Sequence, residues 1–205
     1  MKSKLFLSVT ISSSLLALTS CKNPADETTD AQVGEAAPAA TAAGGTSYAF
    51  TKNSTIGFTG SKVTGSHSGS FEKFEGSFVV KDKKPVSGEF TIEMGSTISD
   101  SEKLTRHLKS ADFFDVPQFS TTQFVVTEFT KKGEQGYDLS GNLTLHGVTK
   151  NITFPTQVEV ANDLIKVKAQ FDIKRQDFGI SYPGKKDDLI RDEVIIKLNL
   201  EAKPS

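Results

Sequence analysis

The strongest constraint on this chain is a period-two alternation of apolar and polar side chains that recurs through residues 48–203. The clearest run covers 164–174, where Ile165, Val167, Ala169, Phe171 and Ile173 alternate with Lys166, Lys168, Gln170, Asp172 and Lys174. Tyr137, Leu139, Leu143 and Leu145 form a second apolar side, and Ile152, Phe154, Val158 and Val160 a third. Phe90, Ile92 and Met94 make a further one. Near the end, Val194, Ile196, Leu198 and Leu200 face one way, while Ile195 breaks the polarity of the opposite face. Strands with one apolar and one polar face belong to antiparallel sheets covered on a single side. Lys132-Gly133, Gly147 and Asn162-Asp163 supply turn signals between the runs. Only residues 99–109 read as helical, with capping residues at the start and Leu104 and Leu108 four apart. The pattern predicts an all-β domain of seven to nine strands with one short helix, and strands longer than ten residues favour an extended antiparallel β-barrel over a sandwich.

The start of the chain follows other rules. Met1-Lys2-Ser3-Lys4 is basic, and an apolar stretch at 5–18 follows. That stretch is shorter than the roughly 20 apolar residues that span a bilayer, so residues 1–20 read as a secretion signal. Leu18-Thr19-Ser20-Cys21 looks like a bacterial lipobox, which makes Cys21 the expected lipid attachment point and membrane anchor. Cys21 is the only cysteine, so there is no disulfide framework despite an oxidising destination. Lys22 stands where inner-membrane retention often uses an aspartate, so the outer membrane is the expected location. Residues 22–47 are rich in Ala, Thr, Gly, Asp and Glu and contain no aromatic residue before Tyr48. Such a composition buries too little apolar surface to offset chain entropy, so 21–47 is expected to be a lipidated cysteine and a disordered tether.

Phenylalanine is abundant, at 15 residues, and tryptophan is absent. A barrel of about eight strands either fills its interior with side chains or holds one slender ligand, and composition does not separate the two. Three stretches bear on this: Gly69-Ser70-Phe71-Glu72-Lys73-Phe74-Glu75-Gly76, then His107-Leu108-Lys109-Ser110-Ala111-Asp112-Phe113-Phe114-Asp115-Val116, then Leu139-Ser140-Gly141-Asn142-Leu143-Thr144-Leu145-His146-Gly147-Val148-Thr149-Lys150. In content, order and spacing they resemble the YceI-like family, the lipocalin-like, polyisoprenoid-binding proteins of bacteria. The resemblance implies an eight-stranded lipocalin-like barrel with a helix at one side, an apolar tunnel for a long isoprenoid or similar amphiphile, and a homodimer as a common assembly. Residues 60–68 depart from it, being small and polar where many members are more apolar at the tunnel mouth. Alternation nominates Phe78, Phe90, Ile92, Phe124, Leu143, Leu145, Phe154, Val167, Phe171 and Leu198 as tunnel-lining residues. Arg106 and His107 are candidates to meet an acidic head group.

Other chemistries lack support. Residues 179–186 nearly spell a phosphate-binding loop, but Lys186 stands where Ser or Thr is needed and a charged turn replaces the helix. Residues 65–69 place His67 where a nucleophile elbow needs serine. His67, His107 and His146 lie far apart with no ligand at i+2 or i+4, so no metal is expected. The carboxylates are scattered, with no pair set apart by an apolar setting. A formal net charge of −1 with interspersed signs argues against nucleic acid. The expected protein is therefore a non-enzymatic lipid binder without a cofactor other than its lipid, tethered to a membrane through Cys21. A tethered protein-interaction module with a solid core is the alternative.

Overall fold

The run at 164–174 becomes β11 (Leu164–Lys174), and its neighbours in the alternation become strands of the same barrel wall. In the computed structural model, which describes residues 22–42, 44–161 and 163–205, the order is β1 (Gln32–Gly34), β2 (Thr46–Phe50), β3 (Thr55–Lys62), β4 (Gly65–Phe71), β5 (Phe74–Lys81), β6 (Lys84–Glu93) and β7 (Thr97–Ser99). Helix α1 (Glu102–Leu108) follows, then β8 (Thr121–Lys132), β9 (Gly136–Leu145), β10 (Val148–Ala161), β11, β12 (Gly184–Lys185) and β13 (Asp188–Pro204). Three wall positions are interrupted strands: β3 continues β2, β5 continues β4, and β7 continues β6. The wall therefore has eight positions, all antiparallel, and β13 closes it. One edge of β13 pairs with β11 from Glu193 to Ala202, and the other pairs with β3 and then β2.

Local chemistry sets these elements. The β9–β10 hairpin turns through His146 and Gly147, both at positive φ (51° and 75°), the conformation a two-residue turn needs to match strand twist. Ser101 caps α1 by accepting from the Leu104 amide, at 3.4 Å. Leu104 and Leu108 then close one end of the barrel, together with Phe113 and Phe114.

With the helix end called the top, the bottom half is solid. Tyr48, Phe78, Val80, Val126, Leu139, Val158, Val167 and Leu200 are buried there, and the Phe50 and Phe78 rings lie 5.2 Å apart. The top half is differently packed. At Gly141, between Leu139 and Leu143, a Cβ would come within 2.2 Å of the Phe124 ring, so the absent side chain lets that ring lie flat on the wall.

The segment 22–42 corrects the expectation of a disordered tether. Pro24–Glu27 forms a 3-10 turn, and Asn23 hydrogen-bonds Ser61 and Glu193. The Asp172 amide donates to the Thr29 carbonyl, and the Ala31 amide to the Asp172 carbonyl. Strand β1 then pairs with Asn151–Thr153 of β10, Asn142 brackets Ala37 with two bonds, and the Ala40 amide reaches the Val126 carbonyl. The reason is a seam. Strands β10 and β11 pair only from Gln157 downward, and the free backbone edges above are met by residues 29–34. Backbone pairing needs no apolar side chains, so a composition too poor for a core is still enough for a strap. The strap also explains Ile195, which faces outward yet is only 5% exposed, because the turn at Pro24–Glu27 packs against β13.

The strap crosses the wall at a buried carboxylate. Asp172 is 1% exposed and accepts from the Thr28 hydroxyl at 2.5 Å. Burial, with Asp30 and Glu193 nearby, pushes its pKa above the ordinary 3.8, while Thr28 opposes the shift. A raised folded-state value means the charged form is penalised in the fold. The penalty is complete above the raised value and absent below 3.8. Asp172→Asn keeps an acceptor for Thr28 and removes the charge. It is expected to raise the melting temperature by a few degrees at pH 7, and thermal unfolding followed across pH should see that gain vanish as pH falls toward the ordinary carboxylate value.

Candidate ligand-binding cavity

The top half of the barrel encloses a cavity of about 290 Å³, at the lower end of the range for small-molecule pockets. Its walls are almost wholly apolar. Inward positions of the central strands supply Ile56, Phe58, Phe90, Ile92, Phe124, Leu143, Leu145, Ile152, Phe154, Phe171, Ile173 and Leu198, and α1 with its following turn supplies the roof. The rings are layered: Phe154 stacks on Phe171 with centroids 3.8 Å apart, and Phe90 on Phe124 at 5.2 Å. The Phe154–Phe171 stack bridges β10 and β11 above their last backbone pair, directly behind the strap.

Eight of the ten residues nominated from alternation lie on this cavity: Phe90, Ile92, Phe124, Leu143, Leu145, Phe154, Phe171 and Leu198. Phe78 and Val167 do not. Both point inward, as their parity requires, but sit in the filled bottom half at 2% and 0% exposure. Parity says which face a residue takes and nothing about its height along the barrel axis. Arg106 and His107 are also placed elsewhere. Arg106 extends into solvent beside Glu102, at 3.9 Å. His107 bonds Asp112 at 2.7 Å and packs edge-on against Phe113 and Tyr182, outside the cavity. A helix over a barrel mouth turns its leucines down and its charged residues away. Cys21 and the signal at 1–20 lie outside the described residues.

The basic groups that do reach the cavity are Lys62, Arg175 and Arg191. Extending the inward series of β11 past Ile173 would have found Arg175. It is 4% exposed and donates to three carbonyls, those of Ile180 (2.7 Å), Arg191 (3.1 Å) and Ile190 (3.3 Å). Burial lowers its pKa, Asp192 partly restores it, and a guanidinium so bonded stays charged. Lys62 is paired with Asp188, which also accepts from the amide and hydroxyl of Thr64 at 3.2 and 2.9 Å. These contacts, Lys62 foremost, hold Asp188 below the ordinary carboxylate value. Thr122, two residues before Phe124 on the inward series of β8, is a further polar group on the wall. It is 6% exposed, and its hydroxyl has no hydrogen-bond partner among the described residues. At Gly60, a Cβ would meet nothing within 4 Å, so the cavity is open beside β3. The small, polar segment 60–68 thus forms the upper rim, with Lys62 and His67 on the cavity.

The chain has relatives among known proteins and solved structures. A UPF0312 protein of Pseudomonas putida (strain W619) is 32% identical over 124 residues, covering 57% of this chain and 65% of that protein. One from Yersinia enterocolitica is 35% identical over 121 residues, covering 55% and 62%. The matched stretch thus spans less than two thirds of these relatives. Among solved structures, Burkholderia cenocepacia BcnA superposes with a TM-score of 0.68 at 23% identity, covering 74% of this chain and 97% of that one. A polyisoprenoid binding domain from Saccharophagus degradans, implicated in plant cell wall breakdown, superposes at 0.65 and 18% identity, covering 79% and 100%. These likenesses establish the lipocalin-like barrel. The family model for the YceI-like domain matches residues 48–202, from the middle of β2 to two residues before the end of β13, and the chain belongs to the YceI-like family.

Proposed function

We propose that this protein is a cell-envelope lipoprotein that takes one long apolar amphiphile into the top half of its barrel, as a carrier or scavenger without catalytic activity. The observation that carries this reading is the cavity itself, walled by stacked phenylalanines and left open where the bottom half is packed solid. Membership of a binding-protein family supports it, as does the likeness to a domain described as polyisoprenoid binding. At about 0.3 kcal/mol per heavy atom, affinity grows with the length of chain that the cavity takes in, and comes from burial alone. Such affinity distinguishes weakly among isoprenoid, isoprenoid quinone and fatty amide chains. Selectivity falls to the few polar groups. An unpartnered buried hydroxyl such as that of Thr122 favours a ligand carrying an oxygen or amide at that height, since an unmade bond there costs about 1–3 kcal/mol.

The anchor belongs to the same reading. Residues 1–20 direct export, and acylated Cys21 holds the mature protein at the outer membrane. The competing reading is a tethered interaction module with a solid core, which the packed lower half favours and the open upper half does not.

Native mass spectrometry of the mature protein, followed by solvent extraction, is expected to find a lipid in stoichiometric amount. A clean apo mass that stays unchanged after incubation with isoprenoid quinone and fatty amide would sink the proposal. Gly60→Leu adds a side chain where nothing obstructs it, so it should retain the melting temperature while lowering lipid uptake at least tenfold. Thr122→Val should leave binding of a plain hydrocarbon chain intact and weaken binding of an amide-headed chain by about tenfold, as isothermal titration would measure.

A further inference from the structure

The rim of the cavity carries an exposed apolar pair. Val63 and Leu189 are 48% and 50% exposed, and the Val63 amide donates to the Leu189 carbonyl at 3.2 Å. They come from different loops, the β3–β4 turn and the β12–β13 hairpin. Asp188 locks those loops together through Lys62 and both hydrogen-bonding groups of Thr64. The pair is therefore displayed on a built edge. Lys185 and Lys186 stand exposed in the same hairpin, with Asp187 at its tip. Immediately inside lie Lys62, His67, Ile190 and Arg191, all on the cavity wall.

The described part of the strap begins at this same rim. The Asn23 side chain accepts from Ser61 Oγ at 3.3 Å and donates to Glu193 at 3.4 Å. Ser61 is the residue before Lys62, and Glu193 lies three residues after Ile190, so Asn23 is held beside the mouth. Two residues of chain reach at most about 7 Å, which confines any group attached at position 21 to the neighbourhood of this edge. A flexible tether would have allowed any orientation. A docked one does not.

We propose that this rim seats on the bilayer holding the anchor, with Val63 and Leu189 entering the head-group boundary, Lys185 and Lys186 staying at its polar edge, and the cavity mouth opening against lipid. The inference rests on the reading of Cys21 as acylated. A bilayer is the occupant that fits. Two apolar side chains are far too little surface for a stable protein interface, and lysine stems reach back from a membrane boundary to keep their charges in water. Asp187 limits the depth to the boundary itself. Seating by two side chains is weak alone, but the nearby anchor makes it intramolecular. The outer wall offers no competing surface along β11, whose outward residues include Lys168, Gln170 and Lys174. The ligand then passes between bilayer and barrel without crossing water.

The chain has no tryptophan, so single substitutions report locally. Val63→Trp, Leu189→Trp and, at the opposite end of the barrel, Glu134→Trp are made in the full-length, membrane-purified protein. Each is reconstituted into phosphatidylethanolamine–phosphatidylglycerol vesicles carrying brominated acyl chains. Tryptophans at 63 and 189 are expected to emit at shorter wavelength than the one at 134 and to lose at least half their intensity to bromine, with position 134 unaffected. Positions 63 and 189 behaving like 134, in protein whose intact mass carries the acyl groups, overturns the seating. An intact mass without acyl groups overturns the anchor on which it rests.

Discussion

Closure of the wall by β13 is the contact on which the rest of the structure depends. This single strand pairs with β11 along one edge and with β3 and β2 along the other, so the sheet has no free edge at that point. Closure also turns an alternating pattern into an inside and an outside. Ile196, Leu198 and Leu200 are gathered with Phe58, Phe171 and Val167 only because β13 stands between β3 and β11. Where it bulges, between Ile190 and Val194, the pairing loosens and the upper rim forms.

The wall is not uniformly closed, and its weakest place has been put to use. Strands β10 and β11 part above Gln157, and the N-terminal strap fills the gap with backbone hydrogen bonds to both. The Phe154–Phe171 stack seals the same place from within. Barrel closure and the placement of the chain's start are thus one structural problem. Asp172 lies at the crossing, buried, with Asp30 and Glu193 nearby, so the strap is held less tightly at neutral pH than its hydrogen bonds alone suggest.

The polar groups of the cavity divide by whether their hydrogen bonds are made. Arg175 is bonded to the carbonyls of Ile180, Ile190 and Arg191, and so fixes the path of the chain from β11 through to β13. It shapes the roof more than it awaits a partner. Thr122 is the reverse, a buried hydroxyl without a bond among the described residues, set in an apolar wall. Together they leave a chamber suited to an apolar chain with little polarity, and a rim suited to whatever the chain's end carries.

Much of this was legible in the sequence. Alternation marked the antiparallel strands β6, β9, β10, β11 and β13 and their inward faces, with the bounds of β11, because strand geometry sends successive side chains to opposite sides whatever the fold. The single helix came from its cap and leucine spacing, and the barrel from strand length. The motifs resembling the YceI-like family lie on β4–β5, on α1 with its following turn, and on the β9–β10 hairpin. What alternation lacks is height and company. Phe78 and Leu143 have the same inward parity, yet one is packed in the solid half and the other faces open space, since axial position depends on the stagger between strands distant in sequence. The strap was invisible for a related reason. Composition measures apolar burial, whereas residues 29–34 are held by free backbone edges that exist only once β10 and β11 have diverged. Ile195 was the one mark it left on the sequence, an outward apolar residue whose cover became apparent only in three dimensions.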